Sequence, residues 1–467
     1  MKAAASYGDD SPMAAFACAP GRGAITLIRC SGKGAPELAA GIFSGGERLA
    51  RAKGHTLLHG WIVSESGEKI DEVLVSVFRA PRSYTGEDGI EVSCHGGNAA
   101  GNGVMAALRS AGFRDALPGE FTFRAFLNGK LDLTRCESVM ELVSAETDMA
   151  RRGAVNRLSG TLEAEINSIK GDLVEVLSGA EILLDYGEDE IGPDGGRLSG
   201  LDLAEDSLAR LKRLADSWRR ERIYREGILA VIAGRPNAGK SSLFNLLLRE
   251  DRSIVAEVPG TTRDWIEASV SIGGIPVRLV DTAGLRSSAD PVEAIGVERS
   301  RGLLEAADLI LYLVDGERGI SGEDADLVSG FSAAGKKPVI AIWNKTDVAP
   351  MPAVRDGPFA GMLGASAKTG EGAAELSAAV AGAVLASAGE TGGRTETASV
   401  GTARQKDLVE AAADSVAEAL KLARADEPLD LIAPLLREAV NLLGEITGEV
   451  STADILGEMF GRFCVGK

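Results

Sequence analysis

Gly234-x-x-x-x-Gly239-Lys240-Ser241 follows the apolar run 228–233, and this spacing of glycines, lysine and hydroxyl forms a phosphate cradle. The glycines let successive backbone N–H groups turn inward on a polyphosphate. Lys240 supplies a point charge at the β/γ oxygens, and the Ser241 hydroxyl reaches Mg2+. Asn237 and Ala238 inside the loop, and Ser242 just after it, complete the candidate phosphate-binding set. Asp281-Thr282-Ala283-Gly284 ends the run 277–280, where a carboxylate holds Mg2+ through water and Gly284 approaches the γ-phosphate. Asn344-Lys345-Thr346-Asp347 follows the run 339–343. Asp347 there accepts hydrogen bonds from the N1–H and 2-amino group of guanine; adenine offers neither, so the expected nucleotide is GTP. Ser366-Ala367-Lys368, fourth in order, supplies a backbone N–H to guanine O6.

Gly260-Thr261-Thr262-Arg263-Asp264 lies between the first two motifs and reads as a switch segment, with Thr262 adding a second hydroxyl to Mg2+. Leu285 follows Gly284, so the glutamine that orients the attacking water in Ras-like enzymes is absent. Arg263, Arg286 and Glu293 are the groups at hand to replace it, and residue chemistry alone does not choose among them.

The elements that position these residues follow from pattern. The chain has 467 residues, enough for about three domains, and 45% hydrophobic content supports substantial cores. Short strand-like runs at 25–29, 55–63, 73–78 and 90–93, then a helical run at 98–110, predict an N-terminal α+β domain over 1–118. From 119 to 225 the period is helical: Leu158, Leu162, Ile166, Ile169 and Leu173 read as one long amphipathic helix, and a second stripe begins at Leu201. A P-loop, Ras-like GTPase domain over 226–388 interrupts this helical domain, which resumes over 389–467. Pro434 falls inside the last apolar pattern, where it must start or kink a helix. The fold class is therefore multidomain α/β, an α+β domain plus an all-α domain carrying an inserted GTPase domain.

Acidic residues outnumber basic ones 68 to 50, for a net charge of −18, which excludes indiscriminate adhesion to nucleic acid or anionic lipid. The cluster Arg210, Lys212, Arg213, Arg219, Arg220, Arg222 and Arg225 is interleaved with acids and reads as a solvated helix face. No apolar run approaches the ~20 residues of a membrane span, and Asp9 and Asp10 interrupt any export signal, so no membrane association and a cytoplasmic location are expected. Five scattered cysteines show neither disulfide nor zinc spacing.

Together with Pro20-Gly21-Arg22-Gly23, Tyr84-Thr85-Gly86-Glu87-Asp88, Cys94-His95-Gly96-Gly97, Pro118-Gly119-Glu120-Phe121-Thr122 running into 124–133, and the terminal Phe463-Cys464-Val465-Gly466-Lys467, the chain resembles the MnmE (TrmE) family over essentially its full length. These are GTPases of tRNA uridine-34 modification. The resemblance implies a homodimer through the N-terminal domain, which binds 5,10-methylenetetrahydrofolate or its 5-formyl-tetrahydrofolate analogue. It implies Arg29, Glu91, Lys130 and Lys467 as folate contacts and Cys464 as a nucleophile or acid near the one-carbon unit. It also implies K+-dependent pairing of GTPase domains, with K+ at Asn237, Ala256, Val258 and Thr261, where Ala256 replaces a threonine common in the family. Glu293 falls on the family's water-orienting glutamate. An FAD-binding MnmG-type partner, in a heterotetramer or larger complex, and tRNA follow as partners, with a carboxymethylaminomethyl or aminomethyl group installed at C5 of uridine 34. The competing expectation is a regulatory or ribosome-assembly GTPase switch that alters no base, since it shares every nucleotide motif.

Overall fold

The computed structural model describes residues 7–19, 21–185, 199–250, 266–281, 302–322, 324–326, 328, 337–352, 362–387, 398–450 and 453–466. It divides into two compact units, 1–140 with 162–208 and 411–467, and 141–161 with 209–410.

The first unit opens with β1 (Met13–Phe16), β2 (Ile25–Ser31), α1 (Ala35–Ala40), α2 (Gly46–Ala50), β3 (Thr56–Val63), β4 (Lys69–Phe78), β5 (Gly89–His95), α3 (Asn98–Ser110) and β6 (Arg114–Asp115). The strands form one sheet in the order β3-β4-β5-β2-β1-β6. Alternation decides its faces: Val73, Val75 and Val77, with Ile90, Val92 and Ile28, bury against Val104 and Leu108 of α3. The opposite face carries Leu27, Arg29, Leu74, Glu91 and Ser93, set in register by the cross-strand pairs Arg29↔Glu91, Leu27↔Ser93 and Leu74↔Ser93. The chain continues in α4 (Glu120–Leu127), α5 (Leu133–Ser144), α6 (Asp148–Leu158), α7 (Thr161–Asp185) and α8 (Leu201–Glu226).

The predicted single helix through Leu158 is two. Gly160, at φ 93° in the left-handed region, ends α6 after Leu158, and α7 starts at Thr161. Leu162, Ile166, Ile169 and Leu173 then bury one face of α7 completely.

The second unit centres on β7 (Ile228–Gly234), α9 (Lys240–Glu250), β8 (Ile266–Ile272), β9 (Ile275–Asp281), β10 (Leu309–Asp315), β11 (Val339–Asn344), β12 (Leu363–Gly364) and α10 (Ala373–Ser387). The strand order is β12-β11-β10-β7-β9-β8, parallel apart from β8. Both faces of β7 and β10 are buried, which is why these strands read as unbroken apolar runs. Helices α11 (Ala403–Arg424), α12 (Leu429–Thr447) and α13 (Ala453–Gly461) close the chain. Pro434 neither starts nor ends α12, which runs through it, and its ring removes the donor that would bond the carbonyl of Asp430.

Candidate functional site

Two sites emerge, one in each unit. The nucleotide motifs meet at the carboxyl ends of β7, β9 and β11, the edge where ligands bind in open parallel sheets. Gly234 has φ 144°, and a Cβ there would lie 2.5 Å from the Leu313 carbonyl; Gly239 has φ 98°, and a Cβ would lie 2.3 Å from Asn344 Nδ2. Neither position admits a side chain. The Lys240 ammonium donates to the carbonyls of Gly234 (3.0 Å) and Arg235 (2.9 Å), which holds it over the loop. Ser241 Oγ donates to Asp281 Oδ2 at 2.7 Å, so the two expected Mg2+ oxygens converge although 40 residues separate them. A hydroxyl and a carboxylate side by side suit Mg2+, which takes few protein oxygens and fills its octahedron with phosphate and water.

The base-reading motifs are joined through Asn344. Its Nδ2 donates to the Ala238 carbonyl (2.7 Å), and its Oδ1 accepts from the Ala367 N–H (3.0 Å), so one side chain ties the phosphate loop to the third and fourth motifs. Ser366 Oγ donates to Asp347 Oδ1 (2.7 Å), fixing the carboxylate while Asp347 remains exposed. Lys345, itself at φ 68°, donates to Glu317 (2.8 Å) and Asp315 (3.0 Å), and these bonds raise its pKa above the usual lysine value. Lys368 and Ser242 are exposed. The motif reading missed Asp315 and Glu317; their signal was the acid pair directly after the apolar run of β10. Ala256, Val258, Thr261, Thr262, Thr282, Ala283, Gly284, Glu293 and Lys467, with Arg263 and Arg286, lie outside the described residues.

In the first unit Arg29 Nε donates to Glu91 Oε1 at 2.9 Å, and its Nη1 donates to the Gly466 carbonyl at 3.2 Å. The guanidinium also lies 5.5 Å from the Tyr84 ring centroid and 5.7 Å from that of Phe121. Arg29, Glu91, Ser83, Tyr84, Phe78 and Phe121 line one pocket: an ion pair at its floor and aromatic faces at its walls, suited to a flat heterocycle with hydrogen-bonding edges. Lys130 borders the same loop and donates from Nζ to the Pro81 carbonyl (3.0 Å).

The chain end is locked in place. Cys464 accepts a hydrogen bond at its carbonyl from the Gly119 N–H (3.3 Å), and Phe463 and Phe460 pack with Phe123 and Tyr7. Gly466, at φ 94°, passes so close to β1 that a Cβ would lie 2.3 Å from the Phe16 carbonyl. The Cys464 side chain is exposed beside this anchor.

The motifs at 84–88 and 118–124 brace the pocket wall. Arg124 donates to Glu87 (3.1 Å) and to the Asp9 and Ser11 carbonyls, Ser31 pairs with Thr85, and Asn128 donates to the Thr85 carbonyl. Glu120 is fully buried; burial alone would raise its pKa, but the Arg114 guanidinium, the Leu117 N–H and Arg124 hold it below the usual carboxylate value. Among the described residues no group of His, Cys, Asp and Glu forms a metal-binding cluster, and no helix is long and apolar enough to cross a membrane.

Comparison with known proteins gives two family matches, "MnmE helical domain" over residues 133–464 and "GTP-binding protein TrmE N-terminus" over 12–130. The chain is 45% identical to the tRNA modification GTPase MnmE of Treponema denticola, covering 99% of each chain. It is 39% identical to that of Carboxydothermus hydrogenoformans over 98% of this chain and all of the relative. The G domain of the T. maritima FeoB iron transporter aligns with 35% of this chain and 99% of its own, at 26% identity and a TM-score of 0.26.

Proposed function

The chain belongs to the MnmE (TrmE) family of tRNA modification GTPases and is itself a GTP-binding, GTP-hydrolysing enzyme of tRNA modification, and from that premise we propose that it couples hydrolysis to one-carbon chemistry on the wobble base. In this reading a reduced folate, 5,10-methylenetetrahydrofolate, binds at Arg29 and Glu91, and its carbon becomes part of a carboxymethylaminomethyl or aminomethyl group on C5 of uridine 34. The observation that supports it is the Arg29 guanidinium held between Glu91 and the Gly466 carbonyl. In the same reading Glu91 accepts from a pterin edge, Lys130 and Lys467 hold the anionic glutamate tail, and Cys464 acts as acid or nucleophile beside the one-carbon unit.

At the nucleotide, Lys240 neutralises phosphate charge, Asp347 selects guanine, and Ser241, Asp281 and Thr262 hold Mg2+, which offsets charge on the phosphate oxygens when bound. Asn237, with Ala256, Val258 and Thr261, holds K+, and Glu293 orients water. An exposed apolar set on the sheet face of Arg29, formed by Ile25, Leu57 and Leu74, supports a homodimer through the N-terminal domain. An FAD-binding MnmG-type partner and a cytoplasmic location belong to the same proposal.

Glu91→Ala tests the reading. Loss of a charged hydrogen-bond acceptor costs about 1.5–3 kcal/mol, so affinity for 5-formyl-tetrahydrofolate, followed by fluorescence quenching, should fall roughly 10- to 150-fold. Unchanged affinity, or none in the wild-type chain, would leave a GTPase switch without base chemistry.

A further inference from the structure

Beside the Arg29 pocket lies a group of cations that neither the nucleotide site nor the folate reading uses. Arg48, Arg51 and Lys53 fall within six residues at the end of α2, and all three are exposed. The turn 79–82 is stitched to them: the Arg79 guanidinium donates to the carbonyls of Ala50 (2.6 Å) and Ala52 (3.2 Å), and the Arg82 N–H donates to the Arg79 carbonyl (2.9 Å). Exposed Arg82 therefore joins the group, and Lys130, bonded to the Pro81 carbonyl, extends it to the pocket rim. The nearby acids are already engaged, since Glu37 and Asp88 both pair with Arg79. On α2 itself the acid is Glu47, in the first turn.

Aromatic rings accompany these cations at the pocket. His55, exposed and held at φ 63°, meets Phe78 edge to face with centroids 5.9 Å apart; Phe78 and the partly exposed Tyr84 line the pocket itself. Cations beside the exposed His55 ring match single-stranded RNA, whose phosphates pair with Arg and Lys while splayed bases stack. A γ-glutamyl tail has charge to pair but no ring to stack, so the rings favour RNA.

We propose that Arg48, Arg51, Lys53 and Arg82, with the exposed His55 ring, form the surface that holds the tRNA backbone around the base to be modified. The assignment rests on the reading that the Arg29 pocket is where the one-carbon unit is presented; the surface then borders the pocket mouth that the base to be modified must approach. Long-range attraction is weak for so acidic a chain, so the contact acts at short range, as phosphate pairing does.

The test is binding of unmodified tRNA to the full-length chain, followed by anisotropy across a KCl series. Arg48→Gln/Arg51→Gln/Lys53→Gln/Arg82→Gln should weaken binding at least tenfold and reduce the slope of log K against log[salt] by about 3, at roughly 0.7–0.9 per phosphate contact. GTP turnover and 5-formyl-tetrahydrofolate affinity should not change. As a charge control, Lys212→Gln/Arg213→Gln/Arg219→Gln on α8 should have a clearly smaller effect. Equal loss in both variants would reduce the surface to overall charge, and undiminished tRNA binding would overturn it. If the variant bound tRNA normally but polyglutamylated folate poorly, the patch would belong to the cofactor tail. Failure of the underlying reading is separate: it would appear as folate affinity indifferent to Glu91→Ala.

Discussion

Asn237 sits at the crest of the phosphate loop, exposed and at φ 67°. Asparagine tolerates the left-handed region better than other side-chain-bearing residues, and its carboxamide oxygen is the chemical type that ligates an alkali cation, as the proposed K+ site requires. The chain also lacks the water-orienting glutamine, with Leu285 in its place, and under the proposed K+ site a cation would supply the charge of an arginine finger and make up part of that deficit. GTP turnover should therefore be at least about tenfold faster in KCl than in NaCl at equal ionic strength, a modest share of the 10³–10⁵ that an arginine finger supplies. Asn237→Gly, which keeps the backbone unstrained while deleting the ligand, should erase most of the difference. Equal rates in the two salts for the wild-type chain would remove K+ from the mechanism. At this scale the sequence was highly legible, because phosphate loops depend on a fixed order of glycine, lysine and hydroxyl. It could not show that Asn344 spans Ala238 and Ala367, or that Asp315 and Glu317 hold Lys345, because those bonds join segments 23 to 106 residues apart.

Elements were legible where burial imposes one period. The strand runs at 73–78 and 228–233 and the helix at 98–110 follow from alternation or from a continuous stripe. The break at Gly160 was not, since the apolar spacing continues across a two-residue turn as though the helix did. Buried charge was equally hidden. Arg157 at the end of α6 donates to Glu141 of α5 (2.8 Å), to Glu221 of α8 (2.8 Å) and to Ser399 (3.0 Å), with all three charged side chains less than 10% exposed. Gly401 allows this approach, because a Cβ there would lie 2.2 Å from a Glu141 oxygen. Opposite charges excluded from water are costly to separate, so Arg157→Met, which leaves the buried carboxylates only the longer contacts of Glu141 to Arg225 (3.7 Å) and Glu221 to Arg220 (3.9 Å), should destabilise by about 3–5 kcal/mol in urea unfolding. Adding Glu141→Gln and Glu221→Gln should recover most of that loss. A triple variant as unstable as the single one would show that shape, rather than charge, holds these helices.

At the scale of the whole molecule, each unit holds one candidate site, and the sites use unrelated chemistry: a glycine loop on a parallel sheet in one, and an ion pair with aromatic walls on a largely antiparallel sheet in the other. The Arg29 site depends on residues 437 positions apart, so no local pattern could have revealed it; the signal was the likeness to the family of motifs spread from 20–23 to the last five residues. Gly466 contributes a carbonyl to the Arg29 guanidinium, and its lack of a side chain lets the turn at 465–466 pass close to Phe16. Deleting residues 465–467 removes that charge-assisted bond together with the terminal lysine, while Phe460 and Phe463 keep their packing with Phe123. The truncated chain should fold, bind GTP and turn it over at the wild-type rate, yet lose roughly tenfold or more in affinity for 5-formyl-tetrahydrofolate, in line with the 1.5–3 kcal/mol of a hydrogen bond to a charged group. Gly466→Ala should show a graded form of the same defect, since the added methyl pushes the tail from Phe16 without removing the carbonyl. If both variants bound folate as the wild type does, the tail would be an anchor for α13 alone, and Arg29 and Glu91 would have to hold the pterin without it.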